Sequence, residues 1–430
     1  MTVALLPSDR APGSRPGLLE TAQNAIRTRT PEGTAWLASR RAEAAAWLSA
    51  HGFPEQRQEA WRFTPMRDVI RTAFAVEAAD LRVDAHGASG VTVMKLSEAI
   101  SLHEEKIEPY LGRVAPLGDG FSALNGALWQ DGIAIFAAPG AKGRIEIGNF
   151  AANHGRSSVT LPRFFVIAEA GAELTLIETH SKADAQVGGD ARSGTPASKS
   201  LSVMVTEIVL GEGARLEHIR ILDGERDRFS LGTLAVRQDR NSRYASRLFT
   251  FGGATSRLDL HALLSGEGAE CILDGLYVAR EAELVAHHTT VDHTKPHCSS
   301  RQRYKGAMDG TGTAVFDGTV LVRHGALRTE AHQENRNLLL SGDAVIHTKP
   351  HLRIDADDVK CSHGATVGRL DPAQLFYLRS RGMDASVARA LLTYAFLREM
   401  TANVPEDLRP ALEDKLLALL PDGAVAKELA

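Results

Sequence analysis

A glycine-led phrase returns four times in the middle of the chain: AGAELTLIE at 170–178, GEGARLEHI at 211–219, GEGAECILDG at 266–275 and GTGTAVFDG at 310–318. Each begins at a turn and runs into alternating apolar and polar residues, the signature of a strand that buries one face. Counted from Gly171, Gly213, Gly268 and Gly312, the intervals are 42, 55 and 44 residues. A strand phrase that recurs in this way predicts a coiled sheet in which every rung covers the apolar face of its neighbour. A Greek-key sandwich also accommodates such short strands.

The strand texture, with GIAIF, RIEIG, FFVIA and VMVTEIVL, begins near residue 130 and is preceded and followed by helical periodicity. The reading is therefore mainly β: a helical N-terminal region over 1–128, a β-helix core over 129–368 and a C-terminal helical region over 369–430. In AWLASRRAEAAAWLSAHG, residues Trp36, Leu37, Trp47 and Leu48 share one side and Gly52 supplies a left-handed stop. Ser97 is expected to cap a helix through LSEAISLHEEKIEPYLG, and Asp371 with Pro372, then Asp384, to open helices near the C-terminus. The segment DAQVGGDARSGTPASKS at 184–200 reads as a flexible loop between strands. The segments between the first helices carry no assignable pattern.

With 49 Lys plus Arg against 53 Asp plus Glu, the net charge of -4 gives no basic field for nucleic acid or an anionic bilayer. No apolar run reaches the length of a membrane span, and the opening MTVALLPSDRAPGSRPG lacks the order of a secretory signal. Three scattered cysteines, Cys271, Cys298 and Cys361, make no disulfide framework, so a cytoplasmic location is expected. GxxxxGK[ST], HExxH and GxSxG are all missing, which leaves no motif for nucleotide hydrolysis or for familiar hydrolytic chemistry.

Two places carry metal-ligand chemistry. In DVKCSHGATVG at 358–368, strand alternation puts Cys361 and His363 on one face and Lys360 and Ser362 on the other. A thiolate beside an imidazole suits zinc or iron, but Val359 shares that face, and spacing alone favours Val359 and Cys361 as small core residues with His363 at the rim. The second place is the pentapeptide HTKPH, present at 293–297 and 347–351. Proline excludes a helical zinc face there, and turns with exposed histidines are expected. The first copy, with His287 and His288 before it and Cys298 after it, supports an alternative reading as a self-contained metal-dependent enzyme. The carboxylates of DADD at 355–358 read as a solvated turn.

YKGAMDG at 304–310, EAHQENRNLLLS at 330–341, TKPHLRIDADDVKCSHGATVGRLD at 348–371 and LFYLRSRGM at 375–383 resemble the SufB and SufD iron–sulfur cluster assembly family. FSALNGALWQDG at 121–132 and GFPEQRQEAWRFTP at 52–65 place the chain nearer the SufD branch. The resemblance implies a right-handed parallel β-helix flanked by N- and C-terminal helices, and a non-catalytic scaffold. It also implies pairing with SufB, docking of the ATPase SufC through the helices after Asp371, and a homodimer when SufB is absent. A nascent, transient iron–sulfur cluster would form at the subunit interface, with His363 and Cys361 as candidate ligands and no cluster held tightly by the isolated chain. That family carries Asn and Gln where this chain has His347 and His351, so the second HTKPH is not assigned to a site.

Overall fold

The computed structural model describes residues 17–29, 33–151, 156–182, 198–224 and 226–429. The first 16 residues and all but the last three of the expected loop 184–200 lie outside them. The core is a parallel β-solenoid of about seven turns. One wall is built from Arg163–Ala168, Ser200–Leu210, Arg228–Gln238, Thr255–Leu264, Leu284–His293, Thr313–Val322 and Val345–Ile354. The other is built from Glu173–Lys182, Arg215–Gly224, Arg243–Gly252, Glu270–Arg280, Ser299–Asp309, Glu330–Leu339 and Lys360–Gly368. Each strand pairs with the next strand of its own wall, one full turn away in sequence.

The spacing of the turns corrects the interval read from the glycines. Two residues before every strand of the second wall the backbone has positive φ: at Gly171, Gly213, Asn241, Gly268, His297, Arg328 and Asp358. From Gly213 onward these corners are 28, 27, 29, 31 and 30 residues apart. The 55-residue interval is thus two turns, with Asn241 at the hidden corner, since Asn tolerates the left-handed conformation better than most residues. Gly312 belongs to the opposite corner, where the positive φ falls at Gly310. Its own constraint is contact: a Cβ there would sit 2.3 Å from the Ala279 carbonyl oxygen.

Both walls are covered outside as well as inside, which is why Ser200–Leu210 reads as a nearly unbroken buried run. The interior is filled by residues such as Ile135, Val166, Leu210, Leu234, Leu260, Leu273 and Phe316. The outer face of the first wall, at Phe165, Ile167, Val209 and Leu231, packs on the N-terminal helices Leu18–Thr28, Ala35–His51 and Gly120–Leu128. The outer face of the second wall, at Ile219, Phe249, Phe251, Leu276 and Val278, packs on Ala385–Arg398 and Arg409–Ala418.

Several local expectations are met and some are revised. Ala35–His51 buries Leu37, Ala44 and Leu48 and stops at Gly52, with φ +67°. Asp371 accepts from the Ala373 N–H to cap Pro372–Ser380. Asp384 stands at the next N-cap without a side-chain hydrogen bond. Ser97 is not a cap; it lies inside Leu96–Leu102, where its hydroxyl donates to Asp131. Within the nominally helical N-terminal region, Asp80–Lys95 is a strand antiparallel to Gly132–Ala151.

One buried ion pair ties the N-terminal region to the solenoid. Arg163 reaches Glu207 at 2.6 Å and also bonds Asn125, and the same carboxylate accepts from the Gly112 and Ala115 N–H groups. Glu207 has no solvent exposure, so removal of its cation leaves the carboxylate in a low dielectric with backbone N–H donors but no counter-charge. Arg163→Met is expected to lower stability by about 3–5 kcal/mol in urea unfolding.

Candidate functional site

The last turn of the solenoid has no turn above it. Across Glu330–Leu339, Ala331, Gln333, Asn335 and Asn337 are buried and form the inward row. The final strand, Lys360–Gly368, pairs with it so that Cys361 stands over Ala331, His363 over Gln333, Ala365 over Asn335 and Val367 over Asn337. Cys361 and His363 therefore share the inward row of an open end. Lys360 and Ser362 project to the other side, where they bond Glu330 at 3.0 Å and His332 at 2.8 Å. The alternation expected from the sequence is present, at the open end of the solenoid.

The two differ in surroundings. His363 is exposed. Cys361 is half-buried and packs with Val359 and Leu352 against Val320, Val322, Ala326 and Ala331, so the core reading of Val359 and Cys361 describes one side of the thiol. Burial raises the Cys361 thiol above its ordinary pKa, and a backbone hydrogen bond involving Ala331 only partly opposes that. Iron binding would have to displace the proton. Among the described residues, no group of three or more His, Cys, Asp or Glu side chains is arranged to hold a metal. Two donors on one edge make an incomplete site that another chain's ligands could close.

The histidine-rich stretch is dispersed by the fold. His287 faces the interior, where Nε2 meets the Thr250 hydroxyl at 2.9 Å beside the Tyr277 and Tyr304 rings. His288 belongs to the outer face beside Asp317 and Lys349. His293 is buried against Ser300 Oγ at 2.9 Å, His297 occupies an exposed corner, and Cys298 bonds the Gly266 carbonyl oxygen at 3.2 Å. The two HTKPH copies are not equivalent. The first closes a strand and enters a turn, whereas the second lies inside Val345–Ile354, an edge strand that tolerates Pro350 opposite Gly318. There His347 stacks on Phe63 with ring centroids 3.7 Å apart, and Lys349 meets Glu59 at 2.5 Å. The expectation of exposed turn histidines holds for His297 and fails for His293 and His347. The DADD residues do form a solvent-facing loop between the last two strands.

Sequence reasoning missed a polar layer within the apolar interior. Glu178, fully buried, lies 3.2 Å from both His180 Nε2 and His218 Nε2 and 3.6 Å from Arg220 Nε. Burial alone would raise its carboxyl, but Arg220 and His218 together hold it well below the ordinary range. A second set joins Tyr277, Asn335 and Asn337 beneath the open end. The signal was polar residues recurring at period two in otherwise apolar strands.

A family model described as "SUF system FeS cluster assembly, SufBD core domain" matches residues 150–396, and one described as "SufBD protein N-terminal region" matches 80–145. An iron-sulfur cluster assembly SufBD family protein of Synechocystis sp. is 30% identical over 402 residues, covering 86% of this chain and 88% of that protein. The iron-sulfur cluster assembly protein SufD of Escherichia coli is 30% identical over 398 residues, covering 87% of this chain and 90% of that one. SufD of Bacillus subtilis is 24% identical over 326 residues, covering 74% and 70% respectively.

Proposed function

Because this chain belongs to the SufBD family of iron–sulfur cluster assembly proteins, we propose that it is a SufD-type scaffold subunit, non-catalytic itself, that pairs with SufB through the open end of its solenoid. The observation that carries this reading is the terminal turn, with its unpaired edges and with Cys361 and His363 in register on its inward row. Two parallel edges ready for further strands are unstable surfaces unless something covers them. Val345, Ile354 and Val367 add exposed apolar area at that end. A SufB subunit seated there would bring its own ligands to the imidazole and thiol, so that iron and sulfide, as substrates, assemble between two chains.

The helices after Asp371 would dock SufC. Pro372–Ser380 buries none of its residues and leaves Phe376 and Tyr377 to solvent, whereas the following helices are fixed to the second wall. Lys305, buried on that wall, reaches Glu399 at 2.5 Å and the Phe396 carbonyl oxygen at 3.0 Å, a rigid junction between helices and strands. ATP-driven association of two SufC subunits would pull on such junctions in both partners and bias the interface between closed and open arrangements. Nucleotide hydrolysis belongs to SufC in this scheme, which takes place in the cytoplasm.

The test is co-expression with SufB and SufC partners under anaerobic conditions. A stable complex that carries visible cluster absorption, with a colourless isolated chain, is the expected result. Failure of the chain to join the complex, or stoichiometric metal with substrate turnover in the isolated chain, would overturn the scaffold reading.

A further inference from the structure

We infer that Gln333 is the positioning residue that sets the ring orientation and tautomer of His363, an inference that rests on the reading of His363 as a cluster ligand. A neutral imidazole offers a metal one nitrogen lone pair and carries its proton on the other nitrogen. Histidine ligands commonly give that N–H to a fixed acceptor, which orients the ring. His363 lies on the edge strand, so support from its own wall comes from the rung beneath. In register there, about 4.8 Å away as parallel neighbours stand, is Gln333.

Three features single out this side chain. Gln333 is 3% exposed, yet neither amide atom has a hydrogen-bond partner among the described residues. An unpaired buried amide is unfavourable, so it calls for a partner that the amide meets in the working state. Its neighbours in the same inward row are engaged: Asn335 Nδ2 donates to the Tyr277 hydroxyl at 2.9 Å, and Asn337 Nδ2 donates to Asn335 Oδ1 at 2.6 Å. The amide also lies close against the facing wall, since a Cβ at Gly318 would stand 2.0 Å from Gln333 Nε2. The glycine leaves room for the amide to lie flat across the interior beneath the last rung. From there its oxygen would accept the ring N–H of His363 in the working state, leaving the other ring nitrogen free for a metal.

The test uses the full chain with 15N-labelled histidine rings, with the His363 signals assigned by their loss in His363→Ala. The wild type is expected to show one neutral tautomer. Gln333→Met should give the averaged signals of an unconstrained ring, and Gln333→Glu, which keeps an acceptor, should restore the single form. Gly318→Ala displaces the amide while Gln333 stays in the sequence, and should behave like Gln333→Met. In the co-expressed complex, Gln333→Met should lower cluster content by about tenfold, the scale at which loss of such supporting groups is felt. Unchanged ring signals and cluster content in both Gln333→Met and Gly318→Ala would overturn the positioning role alone, provided His363→Ala still loses the cluster. Full cluster content in His363→Ala would overturn the ligand reading on which it rests.

Discussion

Acidification from pH 6.5 towards pH 4.5 is expected to unfold the solenoid. His180, His287 and His293 are buried in its interior, and burial pushes them down from an ordinary 6.5 to about 4, about 3 and about 4. Between pH 6.5 and those values the unfolded chain binds protons at these three sites that the folded chain refuses, and His288 on the outer face, pushed down to about 4 chiefly by burial, adds a fourth. Stability is therefore full above pH 6.5 and falls as pH drops through that window. Each imidazole contributes about 1.4 kcal/mol per pH unit, so the four together give a slope of at most about 5.5. Asp119, Glu217, Glu283 and Asp317 have raised values, chiefly through burial, and oppose this by taking protons in the folded state, so the net slope is smaller than the imidazoles alone would give. Against a total of about 5–15 kcal/mol, a net loss equal to two imidazoles over two pH units, about 5.5 kcal/mol, is enough to unfold a domain at the low end of that range. Urea midpoints between pH 7 and 5 measure the slope, and His287→Gln should flatten it by about 1.4 kcal/mol per pH unit. A midpoint unchanged down to pH 5 would show that these imidazoles are not held neutral.

The second large effect is on assembly. His363→Ala should leave the chain folded and cost no more than about 1–3 kcal/mol, because the side chain is exposed and the contact it gives up is the one to the Gln333 amide. It should also leave the complex intact while cluster content falls at least tenfold. Cys361→Ala should differ in kind: its thiol packs against Val320, Val322 and Ala331, so about 1 kcal/mol of stability goes with it. Its effect on cluster content should be the smaller, since burial keeps that thiol protonated.

The contrast between these two residues reflects what the sequence could and could not convey. Period-two geometry alone was enough to place Cys361 and His363 on one face, because a strand has no other way to display alternate residues. It could not say that this face is the inward row of the last turn, since that depends on Lys360–Gly368 having no strand beyond it. The repeat was legible only where its left-handed corner is glycine. Asn241, His297, Arg328 and Asp358 occupy the same corner without that mark, and two turns were read as one. The strand Asp80–Lys95 escaped notice although Leu81, Val83 and Ala85, then Val91 and Val93, alternate with polar residues, because Gly87 and Gly90 interrupt the run and none of its residues is fully buried. The interior polar groups were hidden for the opposite reason. Gln333 and Glu178 look like ordinary solvated residues until the solenoid closes around them. The matching HTKPH pentapeptides shared letters but not register.

The central claim is that an iron atom of the nascent cluster is bound by the terminal rung of this chain. The most direct measurement labels only this chain with 15N-histidine, assembles it anaerobically with unlabelled SufB and SufC, and records electron–nuclear double resonance on the reduced cluster. The account predicts a 15N coupling of the size of a directly bound imidazole, absent when His363 is replaced by Ala. A cluster that forms in the complex with no such coupling from the labelled wild-type chain would contradict it.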